Sequence, residues 1–115
     1  METQERRLFY RFNARFPVKI KDAQEDFGDS IFLRDASAWG IKLTTKDRFY
    51  LNDSLSLEVA LPDGLFPLNL RGQVIWTKNN TDQSWDVGLR FHNISLMYLS
   101  RLYSHAMGVG WDKPI

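Results

Sequence analysis

From residue 16 onward, apolar and polar residues alternate with period two along most of the chain, the pattern of strands with one buried face. Phe16, Val18 and Ile20 alternate with Lys19 and Lys21, predicting a first strand. Ile31 and Leu33 alternate with Phe32 and Arg34 before Asp35, and Ile41 and Leu43 alternate with Lys42 and Thr44. Leu55, Leu57, Val59 and Leu61 form a fourth series, closed by the turn residues Pro62-Asp63-Gly64. Leu68 and Leu70 open a longer segment that resumes after Gly72 with Val74 and Trp76. The glycine there predicts a bulge or bend of a curved sheet. Beyond the turn-rich residues 78–82, Trp85, Val87, Leu89 and Phe91 make the last series. Six or seven short strands separated by turns predict a mainly β fold, a small antiparallel barrel.

The period then changes. Leu99, Leu102, Tyr103 and Ala106 follow i, i+3, i+4, i+7 spacing behind two candidate N-caps, Asn93 and Ser95. Gly108 and Gly110 follow as stop signals. A single helix over about residues 95–107 is expected, laying its apolar stripe on the barrel. The organisation read from the sequence is one domain over residues 1–115. It comprises an N-terminal arm over 1–15, a barrel over about 16–92 and the helix.

Composition narrows the class. At 115 residues and 25% charged residues, the chain fits one globular domain. Zero cysteines exclude disulfides, thiolate metal sites and a thiol nucleophile. The first seven residues carry no apolar run of a secretory signal, and no stretch reaches the roughly 18 apolar residues of a membrane span. A cytoplasmic protein with no membrane association is expected. The formal net charge is only +1, yet residues 6–21 hold six basic residues (Arg6, Arg7, Arg11, Arg15, Lys19, Lys21) and no acidic one. Such a segment reads either as a solvated basic tail or as an anion-binding element. A nucleic-acid binder would show a basic stripe over a whole face, so long polyanions are disfavoured against a small anion.

Two short motifs sharpen that choice. Arg7-Leu8-Phe9-Tyr10-Arg11 is R-x-x-x-R just ahead of the first strand. Asp35-Ala36-Ser37-Ala38-Trp39-Gly40 is D-x-S-x-x-G between two strands. Each alone is weak. In this order, ahead of Gly72-Gln73-Val74-Ile75-Trp76 and Val87-Gly88-Leu89-Arg90-Phe91, they are specific. The chain resembles the PilZ domain, the bacterial receptor module for cyclic di-GMP, over residues 5 to about 107. The resemblance implies a six-stranded antiparallel barrel with a C-terminal helix, acting as a stand-alone cytoplasmic receptor that signals to a downstream protein.

The chemistry of the motifs suits that ligand. An arginine fork pairs bidentately with phosphate and equally with guanine O6 and N7. Arg7 and Arg11 are therefore the expected clamp, by resemblance and by chemistry. Arg6 adds a third cation, which in this family accompanies capture of two stacked ligand molecules, so a stacked pair is the preferred stoichiometry. Asp35 offers acceptors for guanine N1–H and N2–H, Ser37 offers a hydroxyl, and Gly40 permits close approach. Asp35 and Ser37 also suit a turn between strands. Trp39, where many members of the family carry glycine, either walls a purine or covers the barrel rim. Trp76 shares a face with Val74 by alternation; it either packs in the core, the simpler reading, or reaches the nucleotide.

No constellation supports catalysis or a cofactor. His92 and His105 fall in different elements, and no nucleophile elbow, phosphate loop or dinucleotide fingerprint is present. Two other readings stand beside the receptor. One is a PilZ-like docking module for motility or secretion machinery, acting without nucleotide. The other is a small oligonucleotide-binding barrel with Phe9, Tyr10 and Phe12 as stacking platforms.

Overall fold

In the structure, a computed structural model describing residues 8–108, the alternating segments become strands β1 (Phe12–Asn13), β2 (Pro17–Ile20), β3 (Ile31–Ala36), β4 (Gly40–Thr45), β5 (Ser54–Val59), β6 (Leu68–Asn79) and β7 (Trp85–Phe91), followed by helix α1 (Leu96–Met107). Every pairing is antiparallel. The ladder runs β3–β2–β5–β6–β7–β4, and β4 returns to pair with β3, closing six strands into a barrel. Among the described residues, closure leaves no long unpaired strand edge to recruit another chain.

The extra strand, β1, continues the line of β2 along the same side of β3. Phe12 faces Ala36 and Asn13 faces Asp35, while Val18 faces Ile31 further on. Between them the Ala14 N–H donates to the Arg34 carbonyl at 3.0 Å and the Leu33 N–H to the Phe16 carbonyl at 2.9 Å. Residues 8–15, the later part of the expected arm, thus pack on the barrel. Leu8, Phe12 and Ala14 are buried, and the Leu8 carbonyl accepts the Ala38 N–H at 2.7 Å.

Inward residues of all six barrel strands fill the core, among them Val18, Leu33, Leu43, Leu57, Leu70, Val74 and Leu89. The helix adds Leu99 and Leu102, both fully buried, and the Tyr103 ring meets Phe12 edge-on at 4.9 Å. A 12-residue helix is marginal by itself in water. Burial of its two leucines, about 1.5–3 kcal/mol each, holds it in place. Ser95 is the N-cap, its Oγ accepting the Met97 N–H at 3.2 Å, and Gly108 closes the other end in the left-handed region at φ 65°.

One expectation is corrected. Gly72 marks no bulge: β6 runs unbroken through it, pairing Gly72 with Leu55 on one side and Phe91 on the other. A Cβ at that position would run into the Arg90 carbonyl, so the glycine serves close strand approach. The irregularity of β6 lies between Val74 and Trp76.

Candidate functional site

Two bulges decide what the barrel shows to solvent. In β3, Ile31 and Leu33 point inward, and strict alternation would send residue 35 into the core, where an unpaired carboxylate costs several kcal/mol. Instead, Leu33 faces Leu43 and Asp35 faces Lys42, so two steps on β3 match one on β4. The extra residue, Arg34, flips Asp35 outward and lets Ala36 resume the buried face. The same device acts on β6, where Val74 faces Leu89 and Trp76 faces Gly88. Trp76 therefore leaves the core side and is 40% exposed. The core placement read from alternation with Val74 is corrected, because the inserted Ile75 reverses the face.

Register then assembles a row across four strands on the outer surface: Asp35 on β3, Lys42 on β4, Gly88 on β7 and Trp76 on β6. The next row holds Gly40, Arg90 and Gln73. Gly88 seats the tryptophan, since a Cβ there would collide with the indole Nε1, Cε2 and Cδ1 atoms. Gly40 is needed where β4 starts, because a Cβ would strike the Leu89 carbonyl. Apart from Gln73, these residues line a cleft of about 430 Å³, with Trp39 and Trp76 at its sides, Arg11, Lys42 and Arg90 as its cations and Asp35 as its carboxylate.

Arg11, one residue before β1, reaches into the cleft. Its Nε donates to Asp35 Oδ1 at 2.7 Å, Nη2 approaches the same oxygen, and Nη1 lies 3.4 Å from Ser37 Oγ. Lys42 Nζ stands 4.0 Å from the other carboxylate oxygen. Ser37 is buried and holds the β3–β4 turn: its N–H donates to the Gly40 carbonyl at 2.9 Å and its Oγ accepts the Trp39 N–H at 3.2 Å. The turn role read for both motif residues thus belongs to Ser37, and Asp35 is left to face the cations. Trp39 is 67% exposed at the cleft mouth, its ring 5.6 Å from that of Phe9.

The structure accordingly brings Arg11, Asp35, Ser37, Gly40 and Trp76 together, whereas Arg6 and Arg7 lie outside the described residues. Lys19, part of the same basic segment, is engaged elsewhere, with Glu58 at 3.4 Å and the Ala23 carbonyl at 2.9 Å. Sequence reasoning missed Lys42, Gly88 and Arg90 as site residues. Each stands at an outward position of an alternating strand, which was legible, but only the cross-strand register brings them to one cleft. Among the described residues no group of three or more His, Cys, Asp or Glu side chains could hold a metal ion, and no helix is long and apolar enough to cross a membrane.

Comparison with known proteins agrees with the fold. The family model for the PilZ domain matches residues 5–106. No curated protein matches. Among solved structures, the Bacillus subtilis inhibitor of motility (MotI/DgrA) superposes with a TM-score of 0.63 at 20% identity, over 85% of this chain and 47% of that one. This chain therefore spans about half the length of that protein, and the likeness is one of fold.

Proposed function

Since this chain belongs to the PilZ domain family, we propose that it is a receptor for cyclic di-GMP, a binding module that performs no chemistry on its ligand. The observation that carries this reading is the outward row Asp35–Lys42–Gly88–Trp76 with Arg11 laid across it. It sets an acceptor pair, cations and a flat aromatic face around one cleft, the groups that a guanine nucleotide requires. Asp35 accepts from guanine N1–H and N2–H, Arg11 turns from Asp35 to a guanine edge or phosphate, and Trp76 stacks on a base. Arg6 and Arg7 close over the ligand from the arm, and a stacked pair of ligands fills the site. Binding orders the arginine arm over the ligand; because Leu8 and Phe12 are already buried on the barrel, the change among the described residues falls on the Arg11 side chain. Several charge-assisted hydrogen bonds of roughly 1.5–3 kcal/mol each offset the entropy of that ordering. The rearranged surface is what a downstream bacterial partner in the cytoplasm recognises.

Titration calorimetry of the full chain with cyclic di-GMP tests this. Binding at micromolar concentrations with two ligands per chain is the expected result; no heat removes the receptor reading, and one ligand per chain removes the stacked pair. A second reading is a docking module working without nucleotide. It is favoured by Leu65 and Phe66, exposed on a turn that Arg101 ties to α1. Capture of the same partner with and without cyclic di-GMP would select it.

A further inference from the structure

On the outer face of the β4–β7 ladder, glycine and cation alternate like squares of a board. Gly40 faces Arg90 and Lys42 faces Gly88. Residues diagonal across two antiparallel strands are roughly 7–8 Å apart. The two long basic side chains therefore stand at opposite corners of a trough floored by backbone at Gly40 and walled by the Trp76 indole seated over Gly88. Ile41 and Leu89 between them, and Leu43 and Val87 just beyond, are all buried, which fixes Lys42 and Arg90 on the solvent side. Their situations differ. Lys42 shares Asp35 with Arg11. Arg90 is exposed, and among the described residues its guanidinium has neither an acidic nor a hydrogen-bonding partner. Counting the cleft lining, three cations (Arg11, Lys42, Arg90) stand against one carboxylate (Asp35), a formal excess of two positive charges. Like charges so placed repel unless an anion lies between them.

We propose that Arg90, with Lys42 at the opposite corner, is a phosphate-binding residue of this cleft, a cation outside both sequence motifs that neutralises one phosphate of the nucleotide. Resting on the receptor reading, the assignment divides the cleft. Arg11 and Asp35, side by side at the β1–β3 edge, read the base. Arg90 and Lys42, on the β4–β7 trough, meet the charge. Lysine carries no planar fork with which to read guanine, so its presence at the second corner marks that half for phosphate. The excess of two charges matches the two phosphates of one cyclic di-GMP molecule, leaving those of the second, stacked molecule to Arg6 and Arg7.

The test is calorimetric titration of the full chain with cyclic di-GMP at about 50 mM and about 300 mM sodium chloride, across which charge screening changes strongly. Arg90→Ala and Arg90→Gln should each bind about tenfold more weakly than the unmodified chain and lose part of its salt dependence. Arg90→Lys should stay within about threefold, because a point charge suffices for phosphate. Lys46→Ala, an equal change of net charge on an exposed side chain just beyond β4 at the end away from Gly40, should match the unmodified chain. If Arg90→Ala and Arg90→Gln behave as Lys46→Ala does, the assignment falls while the receptor reading stands. If Arg90→Lys is as weak as Arg90→Ala, the contact needs the arginine fork, and the sharing of one phosphate between Arg90 and the point-charge lysine at the opposite corner falls. If the unmodified chain binds nothing, both fall together.

Discussion

Two arginine–aspartate pairs occupy this small barrel, one in the cleft and one between α1 and the β5–β6 turn, and they are built differently. Arg101 meets Asp63 through both carboxylate oxygens, Nε to Oδ2 at 3.1 Å and Nη2 to Oδ1 at 3.0 Å, and Nη2 also donates to the Phe66 carbonyl at 2.8 Å. His105 Nε2 lies 3.1 Å from Oδ2, and the Leu65 N–H donates to Oδ1 at 3.0 Å. The Arg101 hydrogen bonds, then the Leu65 N–H, hold the Asp63 carboxyl down at about 2. In the cleft, Arg11 directs two nitrogens at one oxygen of Asp35 and leaves the other with only Lys42 at 4.0 Å. The Arg11 side chain is 50% exposed against 24% for Arg101. The saturated pair fastens helix to hairpin; the under-used pair keeps an acceptor and a guanidinium available. The same two residue types serve stability in one place and recognition in the other, and the number of lone pairs already occupied separates the cases.

The largest effect is expected where the cleft touches the framework beneath it. Gly88→Ala drives a methyl into the Trp76 indole, and overpacking of this kind costs about 1–3 kcal/mol. Chemical denaturation should show that loss, and tryptophan fluorescence should shift as the indole leaves its seat. Unchanged fluorescence would mean that Trp76 does not rest on β7.

Next in size is Asp63→Ala, which removes the fastener. Losing a charge-assisted network and a turn hydrogen bond should cost about 2 kcal/mol of unfolding free energy, with cyclic di-GMP affinity unchanged. Arg11→Ala should do the reverse. Its affinity falls about tenfold or more, or about 1.4 kcal/mol, while the denaturation midpoint hardly moves, since exposed pairs contribute about 0–1 kcal/mol. If both variants lose stability alike, the contrast between fastener and recognition pair is wrong. Acid sharpens it further. The Asp63 carboxyl sits at about 2 in the fold against 3.8 ordinarily, so its share of stability is complete above about pH 4 and is lost as pH falls toward about 2. Urea midpoints at about pH 5 and about pH 2.5 should converge for Asp63→Asn relative to the unmodified chain. Equal slopes for the two proteins would exclude Asp63 as a source of acid sensitivity.

Why the fastener escaped sequence reading and the cleft only half emerged has one physical explanation. Strands and helix were legible because burial has a period: the inward strand residues from Val18 to Phe91 alternate except where the β3 bulge puts Ala36 out of phase, and Leu99 and Leu102 follow the helical period. Pairings between distant residues have no period. Asp63 read as turn chemistry alone, because its partner Arg101 lies 38 residues away. The bulges at Arg34 and Ile75 are equally silent in composition, yet they reverse the faces of Asp35 and Trp76. A charged residue on a nominally inward position was the one legible sign, at Asp35; for Trp76, an aromatic equally at home inside, no sign existed. The irregularity of β6 was expected at Gly72 and falls three residues later, at Ile75, because a glycine marks close approach as readily as a bend. The motif residues clustered as their sequence spacing implied from Arg11 to Gly40, since one hairpin and its neighbouring strand carry them.

The smallest expected effect tests how local the fastened region is. Ser95 Oγ accepts the Met97 N–H at 3.2 Å, satisfying one of the helix's unpaired first-turn donors, and no acidic residue stands in that first turn to assist it. Ser95→Ala should cost about 0.5–1 kcal/mol, and Ser95→Gly only a few tenths of that unit. The loss stays modest because Leu99 and Leu102, one and two turns further on, are fully buried and keep the helix docked. Combined with Asp63→Ala, the penalty should exceed the sum of the two, because the Ser95 cap and the Arg101 contacts hold the same short helix. Strict additivity in urea denaturation would instead mean that the leucines alone seat α1, and that the Asp63 network fastens the turn rather than the helix.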